Sequence, residues 1–173
     1  MKATQRAIVL VGHGGVPKDC PHELIRKLKQ LEAQRRAVGK PMSPEERELD
    51  QKIRRWPRTP QTDPYKEGLE ALATQLRPLL NGDRLAIAFN EFCAPTLEEA
   101  VEELIKEGTK DITVVSSMFT AGGSHAEIEI PEEVAALKQA HPTVTIRYAW
   151  PFDKQLVAGM LASHLEQFRM RKP

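Results

Sequence analysis

The hydrophobic residues of this chain fall into short apolar runs, separated by segments in which apolar positions repeat with helical spacing. Four runs, at 7–11, 84–89, 111–117 and 144–150, have the length and branched composition of buried strands. Between them, apolar residues recur every three or four positions, as they do on one face of an amphipathic helix. The alternation of strands and helices predicts an α/β fold: a parallel four-stranded sheet flanked by helices.

Three of the predicted helices have clear start signals or long apolar stripes. Thr96 and Glu99 have the spacing of a capping box, and Asp63 before Pro64 predicts the start of another helix. A further helix is predicted near the end of the chain. The apolar stripe is Leu97, Val101, Leu104 and Ile105 in the helix after Thr96, and Leu69, Leu72, Leu76 and Leu79 in the helix after Asp63. In the helix near the end of the chain it is Leu156, Met160, Leu161, Leu165 and Phe168.

The connection between the first strand and the helix at Asp63 is unusually long. It has about fifty residues, where such a connection usually has about two to six. Its apolar spacing predicts two helices joined at Gly39-Lys40-Pro41, so we predict one domain over 1–173 with a helical hairpin inserted at 16–62. The positions that define the hairpin are Leu24, Leu28 and Leu31 in its first helix, and Ser43 and Glu46 (a capping box), Leu49, Ile53 and Trp56 in its second.

Charge is distributed unevenly between this hairpin and the rest of the chain. There are 12 basic and 7 acidic residues between Lys18 and Arg58, against 13 basic and 17 acidic elsewhere. A net charge of +1 and an aromatic content of 5% argue against nucleic acid or a membrane surface as partner. Two interpretations of the hairpin stay open: a solvated insertion, or a basic lid for a ligand with several carboxylates.

Cysteine usage and the first residues of the chain indicate a cytoplasmic location. Cys20 and Cys93 do not form a CxxC pair, so the ligands of a zinc–thiolate or iron–sulfur site are lacking. Two unpatterned cysteines fit a reducing compartment. The apolar run at 7–11 is too short for the core of a signal peptide or for a membrane span.

A chemically reactive side chain follows each of the first three predicted strands. These residues are His13, Glu91 and His125. The carboxyl ends of parallel strands meet at one edge of a sheet, so we expect the three side chains to converge there. Two imidazoles and a carboxylate suit a divalent metal such as cobalt, iron, nickel or zinc. Each residue also has a structural alternative: a turn residue for His13, a helix cap for Glu91, and a cap or packing residue for His125.

Two other motifs point to different enzymes and fit less well. The segment "GHGG" at 12–15 lacks the arginine that precedes the histidine of phosphoglycerate-mutase-type phosphatases. Ser124 in "GGSHA" lies several residues beyond its strand, whereas the serine of a nucleophile elbow follows its strand directly.

Three segments together resemble the CbiX/SirB-type class II chelatases, which insert a divalent metal into sirohydrochlorin. They are "AIVLVGHGG" at 7–15, "AFNEFCAPTLEEAV" at 88–101 and "MFTAGGSHAEIEIP" at 118–131. In order, they match the family's first histidine, its F-x-E-x-x-x-P segment and its G-x-H-x-x-x-D-I-P segment. Glu129 stands where the family usually has aspartate, and the hairpin is absent from minimal members.

The resemblance implies a chelatase-like (flavodoxin-like) fold and sirohydrochlorin metal insertion for siroheme or cobalamin synthesis. His13 and His125 would bind the metal, and one of them or Glu91 would accept the pyrrole protons. Because the ligands must lose their protons to bind metal, activity should fall below about pH 6. The metal is a substrate, with Co²⁺ expected before Fe²⁺ or Ni²⁺, and no organic cofactor is expected. The residues expected to contact the tetrapyrrole are Gly14, Gly122, Gly123 and Ser124. From the charge of the hairpin, Arg26, Arg55 and Arg58 are expected to meet its carboxylates.

The family's minimal members also imply a homodimer. Two alternatives to an enzyme remain open at the level of sequence. One is a carrier that binds a metal or a metallotetrapyrrole without turnover, and the other is a structural relative whose hairpin contacts a partner protein.

Overall fold

The computed structural model describes residues 6–170, so the ends of the predicted domain, 1–5 and 171–173, lie outside the described residues. Four strands form one parallel sheet in the order β2-β1-β3-β4. The strands are β1 (Arg6–Gly12), β2 (Arg84–Phe89), β3 (Asp111–Ser116) and β4 (Thr145–Tyr148). The predicted α/β fold with a parallel four-stranded sheet is confirmed.

The helices are α1 (His22–Val38), α2 (Pro44–Arg54), α3 (Pro64–Leu76), α4 (Leu97–Lys106), α5 (Ile130–Ala140) and α6 (Lys154–Met170). Successive side chains of the central strand β1 point to opposite faces of the sheet. Val9 and Val11 are buried with the apolar residues of α4 and α5, whereas Leu10 is buried with Leu69 of α3. The two helical layers therefore lie on opposite faces of β1, and its carboxyl end is left at an edge between them.

The start signals of α3 and α4 act as predicted. Thr96 and Glu99 form both hydrogen bonds of a capping box, and the carboxylate of Asp63 accepts a hydrogen bond of 3.0 Å from the backbone N–H of Lys66. The predicted stripe of α3 is partly wrong, because Leu72 and Leu79 are 50% and 73% exposed. A turn at Arg77–Leu79 follows α3 directly, as expected where Pro78 cannot continue an α-helix.

The segment between β1 and α3 forms α1 and α2, with a small core of its own. Gly39 ends α1 with φ of 62°, a conformation that glycine adopts without strain. Leu28, Leu49 and Ile53 are buried together with Phe92 from the loop after β2. The second predicted capping box is only half formed. Ser43 accepts from the backbone of Glu46, but the buried Glu46 carboxylate accepts instead from Arg35 of α1 at 2.8 Å.

The apolar stripe of α6 is not covered. None of the residues described for α6, 154–170, is buried. The stripe residues Leu156, Met160, Leu161, Leu165 and Phe168 are between 48% and 74% exposed. Within residues 6–170, no helix combines the length and the hydrophobicity needed to cross a bilayer.

Candidate metal centre

The loops after β1 and β2 are joined by backbone hydrogen bonds at the carboxyl edge of the sheet. The N–H of Asn90 donates to the carbonyl of Gly12 at 2.9 Å, and the N–H of Glu91 donates to the carbonyl of His13 at 2.8 Å. Gly14 has φ of 96°, and a Cβ at this position would lie 1.8 Å from the carbonyl oxygen of Glu91. Glycine is thus required for the two loops to approach so closely.

His13, Glu91 and His125 converge at this edge. One ligand atom from each lies within 4.8 Å of the other two. The imidazole rings meet edge to face with their centroids 4.8 Å apart, and His125 Nε2 lies 4.0 Å from Glu91 Oε1. Two ligand atoms bound to the same ion at about 2.1 Å can be at most about 4.2 Å apart, so small side-chain movements would complete a site for a divalent metal.

The hydrogen bond of His13 determines which of its ring nitrogens is available. Its Nδ1 lies 2.8 Å from the carbonyl oxygen of Gly14. A carbonyl oxygen only accepts, so Nδ1 must carry the proton and Nε2 keeps a lone pair. The backbone N–H of His13 donates to the hydroxyl of Tyr65 at 2.7 Å, which anchors the loop to α3.

Polar side chains from two segments surround His125. Asn90 Nδ2 lies 2.8 Å from His125 Nδ1, and Glu129 Oε2 lies 2.9 Å from the same nitrogen. Burial by itself would raise the pKa of Glu129, but the hydrogen bonds from His125 and Asn90 outweigh it and lower that pKa. Glu129 is therefore a carboxylate beside the candidate metal ligand.

The N-terminal half of the hairpin passes along this site. Lys29 Nζ lies 5.0 Å from the ring centroid of Phe92, and Arg36 Nη2 lies 3.5 Å from Glu129 Oε1. Burial and the nearby charge of Glu91 raise the pKa of Glu32. One face of α1 thus follows the edge from Phe92 to Glu129. Lys29 and Arg36 were not predicted as site residues, although their seven-residue spacing places them on one helix face.

The arginines predicted to bind the tetrapyrrole have different surroundings. Arg26 is exposed on α1. Arg55 donates to Glu99 Oε1 at 2.8 Å, next to the start of α4. Arg58 has a side chain only 7% exposed; it pairs with Asp63 and donates to the carbonyls of Gly15 and Phe92. Arg58 is therefore held by protein groups, whereas Arg55 makes one exposed ion pair, and contact of either residue with a tetrapyrrole stays a prediction.

Arg54 also holds the site in place and was missed by the sequence analysis. Its guanidinium donates to the carbonyls of Asn90 at 3.0 Å and Cys93 at 3.1 Å, and to Asp50 at 2.7 Å. Together with Arg58, it ties the hairpin to the loop that carries Glu91. These cations therefore stabilise the backbone of the site.

The loop before His125 leaves open space beside the candidate ligands. Gly122, Gly123 and Ser124 are exposed, and a Cβ at either glycine would meet no described atom within 4 Å. The capping alternative for Glu91 does not hold, because Thr96 and Glu99 cap α4. The side chain of His125 likewise contacts Asn90 and Glu129, and it does not cap the turn that it begins.

A family model and several known proteins are similar to this chain. The model of the CbiX family matches residues 61–167, a range that contains Glu91 and His125. The chain belongs to the CbiX family. The matched range begins after α2, so β1, His13 and both helices of the hairpin lie outside it.

Two curated relatives match a smaller part of the chain. The sirohydrochlorin ferrochelatase of Bacillus subtilis (strain 168) is 34% identical over 76 residues, which are 43% of this chain and 29% of that protein. The sirohydrochlorin ferrochelatase of Priestia megaterium is 32% identical over 73 residues, 41% of this chain and 27% of that protein. In each case the aligned segment spans less than a third of the relative's length.

Two solved structures have the same fold. One is the sirohydrochlorin chelatase SirB of Bacillus subtilis subspecies spizizenii in complex with cobalt, with a TM-score of 0.54 and 22% identity, covering 94% of this chain and 51% of SirB. The other is a CbiX protein of Marinobacter aquaeolei, with a TM-score of 0.53 and 19% identity, covering 95% of this chain and 94% of that protein. The predicted chelatase-like fold is confirmed.

Proposed function

We propose that this chain inserts a divalent metal ion into sirohydrochlorin or a related carboxylate-rich tetrapyrrole. The observation that carries the proposal is the convergence of His13, Glu91 and His125 at the carboxyl edge of the sheet, within 4.8 Å of one another. Membership of the CbiX family supports it. The names of the curated relatives, both sirohydrochlorin ferrochelatases, point to the same substrate.

In this proposal the metal ion is a substrate held by His13 and His125 through their Nε2 atoms. Imidazole and carboxylate ligands accept cobalt, iron and nickel, and we propose cobalt first because the similar SirB structure contains it. Siroheme and cobalamin synthesis are the pathways that this reaction would serve. A cytoplasmic location remains a prediction from the sequence.

Metal insertion releases two pyrrole protons for each ion that enters the macrocycle. The carboxylate of Glu91 lies 4.0 Å from His125 Nε2 and has a side chain 19% exposed, so it can accept a proton beside the bound ion. Gly14, Gly122, Gly123 and Ser124 are proposed to contact the macrocycle.

The structure also changes which cations are proposed to meet the carboxylates of the tetrapyrrole. Lys29 and Arg36 on α1 lie beside the site, and Arg26 is exposed on the same helix. Lys29 and Arg36 take the place of Arg55 and Arg58 as candidates, and Arg26 is kept. A cation beside an anionic substrate raises its affinity in a way that added salt weakens.

The test is an anaerobic assay with a small amount of protein, excess sirohydrochlorin and Co²⁺, followed by the visible spectrum of the macrocycle. Wild-type protein is expected to complete many turnovers above the protein-free rate, and His13→Ala and His125→Ala are expected to lose that activity. His141→Ala is the matched control, because His141 pairs with Glu102 at 2.8 Å near the opposite edge of the sheet.

Each other result of this assay contradicts a particular part of the proposal. A spectral change that stops at one equivalent would indicate a carrier in place of an enzyme. An equal loss of activity in His141→Ala would show that the histidine substitutions act by disturbing the fold. No response to Co²⁺, Fe²⁺ or Ni²⁺ would show that the chain acts on another ligand.

We also propose that the chain forms a homodimer through α6. The exposed apolar stripe of this helix continues into a cavity of about 420 Å³ lined by Phe119, Trp150 and Leu161. Exposed apolar surfaces of this kind mark interaction sites in many proteins. Sedimentation velocity should show a dimer that Leu161→Glu converts to a folded monomer. A wild-type monomer at high protein concentration would contradict the proposal.

A further inference from the structure

The contacts around His125 involve two residues to which the proposed reaction assigns no role. Asn90 follows β2 directly, and Glu129 lies four residues after His125 in a π-helical turn, His125–Glu129. Their side chains also contact each other, with Asn90 Nδ2 3.1 Å from Glu129 Oε2. Two polar side chains, one from each segment, therefore lie at Nδ1 of His125.

The chemistry of these groups determines where the proton of His125 lies. An ionised carboxylate only accepts hydrogen bonds, and the Nδ2 of asparagine only donates them. Glu129 Oε2 therefore accepts from Asn90 Nδ2 and from His125 Nδ1, so Nδ1 carries the proton. Asn90 Nδ2, 2.8 Å from Nδ1, is then a second donor, so its hydrogen bond goes to Glu129 and it acts on the histidine through that carboxylate. The lone pair is then on Nε2, the atom 4.0 Å from Glu91. The ring therefore presents this ligand atom toward Glu91.

Both residues are themselves held in place. The N–H of Asn90 donates to the carbonyl of Gly12 at 2.9 Å, and its carbonyl accepts from Arg54 at 3.0 Å. These two hydrogen bonds fix the backbone that carries the Asn90 side chain. The second carboxylate oxygen of Glu129 lies 3.5 Å from Arg36 Nη2. The N–H of Ile130 donates to the carbonyl of His125, closing the turn that sets the spacing between the histidine and the carboxylate.

We propose that Asn90 and Glu129 are positioning residues that hold His125 in its Nδ1–H form with Nε2 free to bind metal. The inference rests on the proposed function for the identity of the metal ligand. Residues that orient a ligand histidine through its second nitrogen typically affect metal affinity about 10- to 100-fold. Neither residue needs to touch the metal or the tetrapyrrole.

The test uses Glu129→Gln and Asn90→Ala, measured without tetrapyrrole so that it is independent of turnover. Co²⁺ affinity, from titration of the cobalt absorption bands, is expected to fall about 10- to 100-fold in Glu129→Gln and less in Asn90→Ala. The double variant should lose little more than Glu129→Gln, because Asn90 acts on His125 through the Glu129 carboxylate. Glu127→Gln is the matched control, since Glu127 is exposed in the same turn and bonds to the backbone of Gly122.

A second readout separates positioning from a general structural effect. Long-range ¹H–¹⁵N spectra of histidine-labelled metal-free protein report which ring nitrogen carries the proton. The wild type is expected to show Nδ1–H at His125, and Glu129→Gln is expected to show a mixture, because an amide can donate as well as accept. Glu129→Asp, which keeps an acceptor-only carboxylate, is expected to restore the Nδ1–H form.

The outcomes distinguish this inference from the proposed function. An unchanged proton position in Glu129→Gln, or a loss of Co²⁺ affinity no greater than in Glu127→Gln, would overturn the positioning role. If the variants behave as expected and the wild type still fails to metallate sirohydrochlorin, the proposed function is wrong and the positioning role stands.

Discussion

The hairpin helices and α6 have similar sequence patterns, but their apolar residues lie in opposite environments. Leu28 and Ile53 of the hairpin are 1% and 0% exposed, packed with Phe92 from the loop that carries Glu91. In α6, Leu156 and Phe168 are 74% and 69% exposed. An apolar stripe therefore predicted helices in both places, but it did not predict which stripe the chain itself would cover.

The difference follows from what lies next to each helix. The hairpin is linked to the site loops by buried charged groups, since Arg54 and Arg58 donate to backbone carbonyls of the loop after β2. Among the described residues, α6 shares no comparable set of buried contacts. The comparison indicates that the hairpin is part of the site's framework, whereas α6 presents an exposed apolar face.

The largest effect is expected when the buried ion pair beneath the hairpin is broken. Arg58→Met leaves Asp63, whose side chain is 2% exposed, without its cation. Removing one partner of a buried pair typically costs about 3–5 kcal/mol of unfolding free energy. Urea unfolding measures the loss, with Arg47→Met on the exposed face of α2 as control. Equal stability of the two variants would show that the Arg58–Asp63 pair does not stabilise the fold.

The second prediction compares the same substitution in both regions. Leu28→Ala should cost about 2–5 kcal/mol, because it opens a cavity in the core of the hairpin. Leu165→Ala in α6, at a side chain 54% exposed, should change stability by less than about 0.5 kcal/mol in dilute protein. If α6 forms a dimer, the stability lost in Leu165→Ala should increase at high protein concentration, because association stabilises the folded state. Similar costs at every concentration would contradict the contrast between the regions.

The smallest effect is expected for an exposed arginine of the hairpin. Arg55 and Glu99 have side chains 68% and 41% exposed, and surface pairs of this kind contribute about 0–1 kcal/mol. Arg55→Gln should leave the apparent affinity for sirohydrochlorin unchanged, whereas Lys29→Gln should weaken it. Steady-state assays at two salt concentrations measure both. A weaker affinity in the Arg55 variant would return this residue to the substrate site.

The sequence by itself determined the sheet, most of the helices and the convergence of His13, Glu91 and His125. These features depend on local properties: apolar periodicity, capping residues and the direction of parallel strands. Thr96 and Glu99 act as a capping box because the residues that satisfy each other are three positions apart. The chain's local chemistry was sufficient for each of these predictions.

Only the tertiary structure decided the contacts of the charged and polar side chains. Arg58, Lys29 and Asn90 each contact a group far away in sequence, and nothing in their own neighbourhoods specifies those partners. The exposure of α6 is decided in the same way, because burial depends on what packs against a face and not on the face itself. Periodicity records which side of a helix is apolar, whereas hydrogen-bond partners and burial depend on contacts that form when distant segments come together.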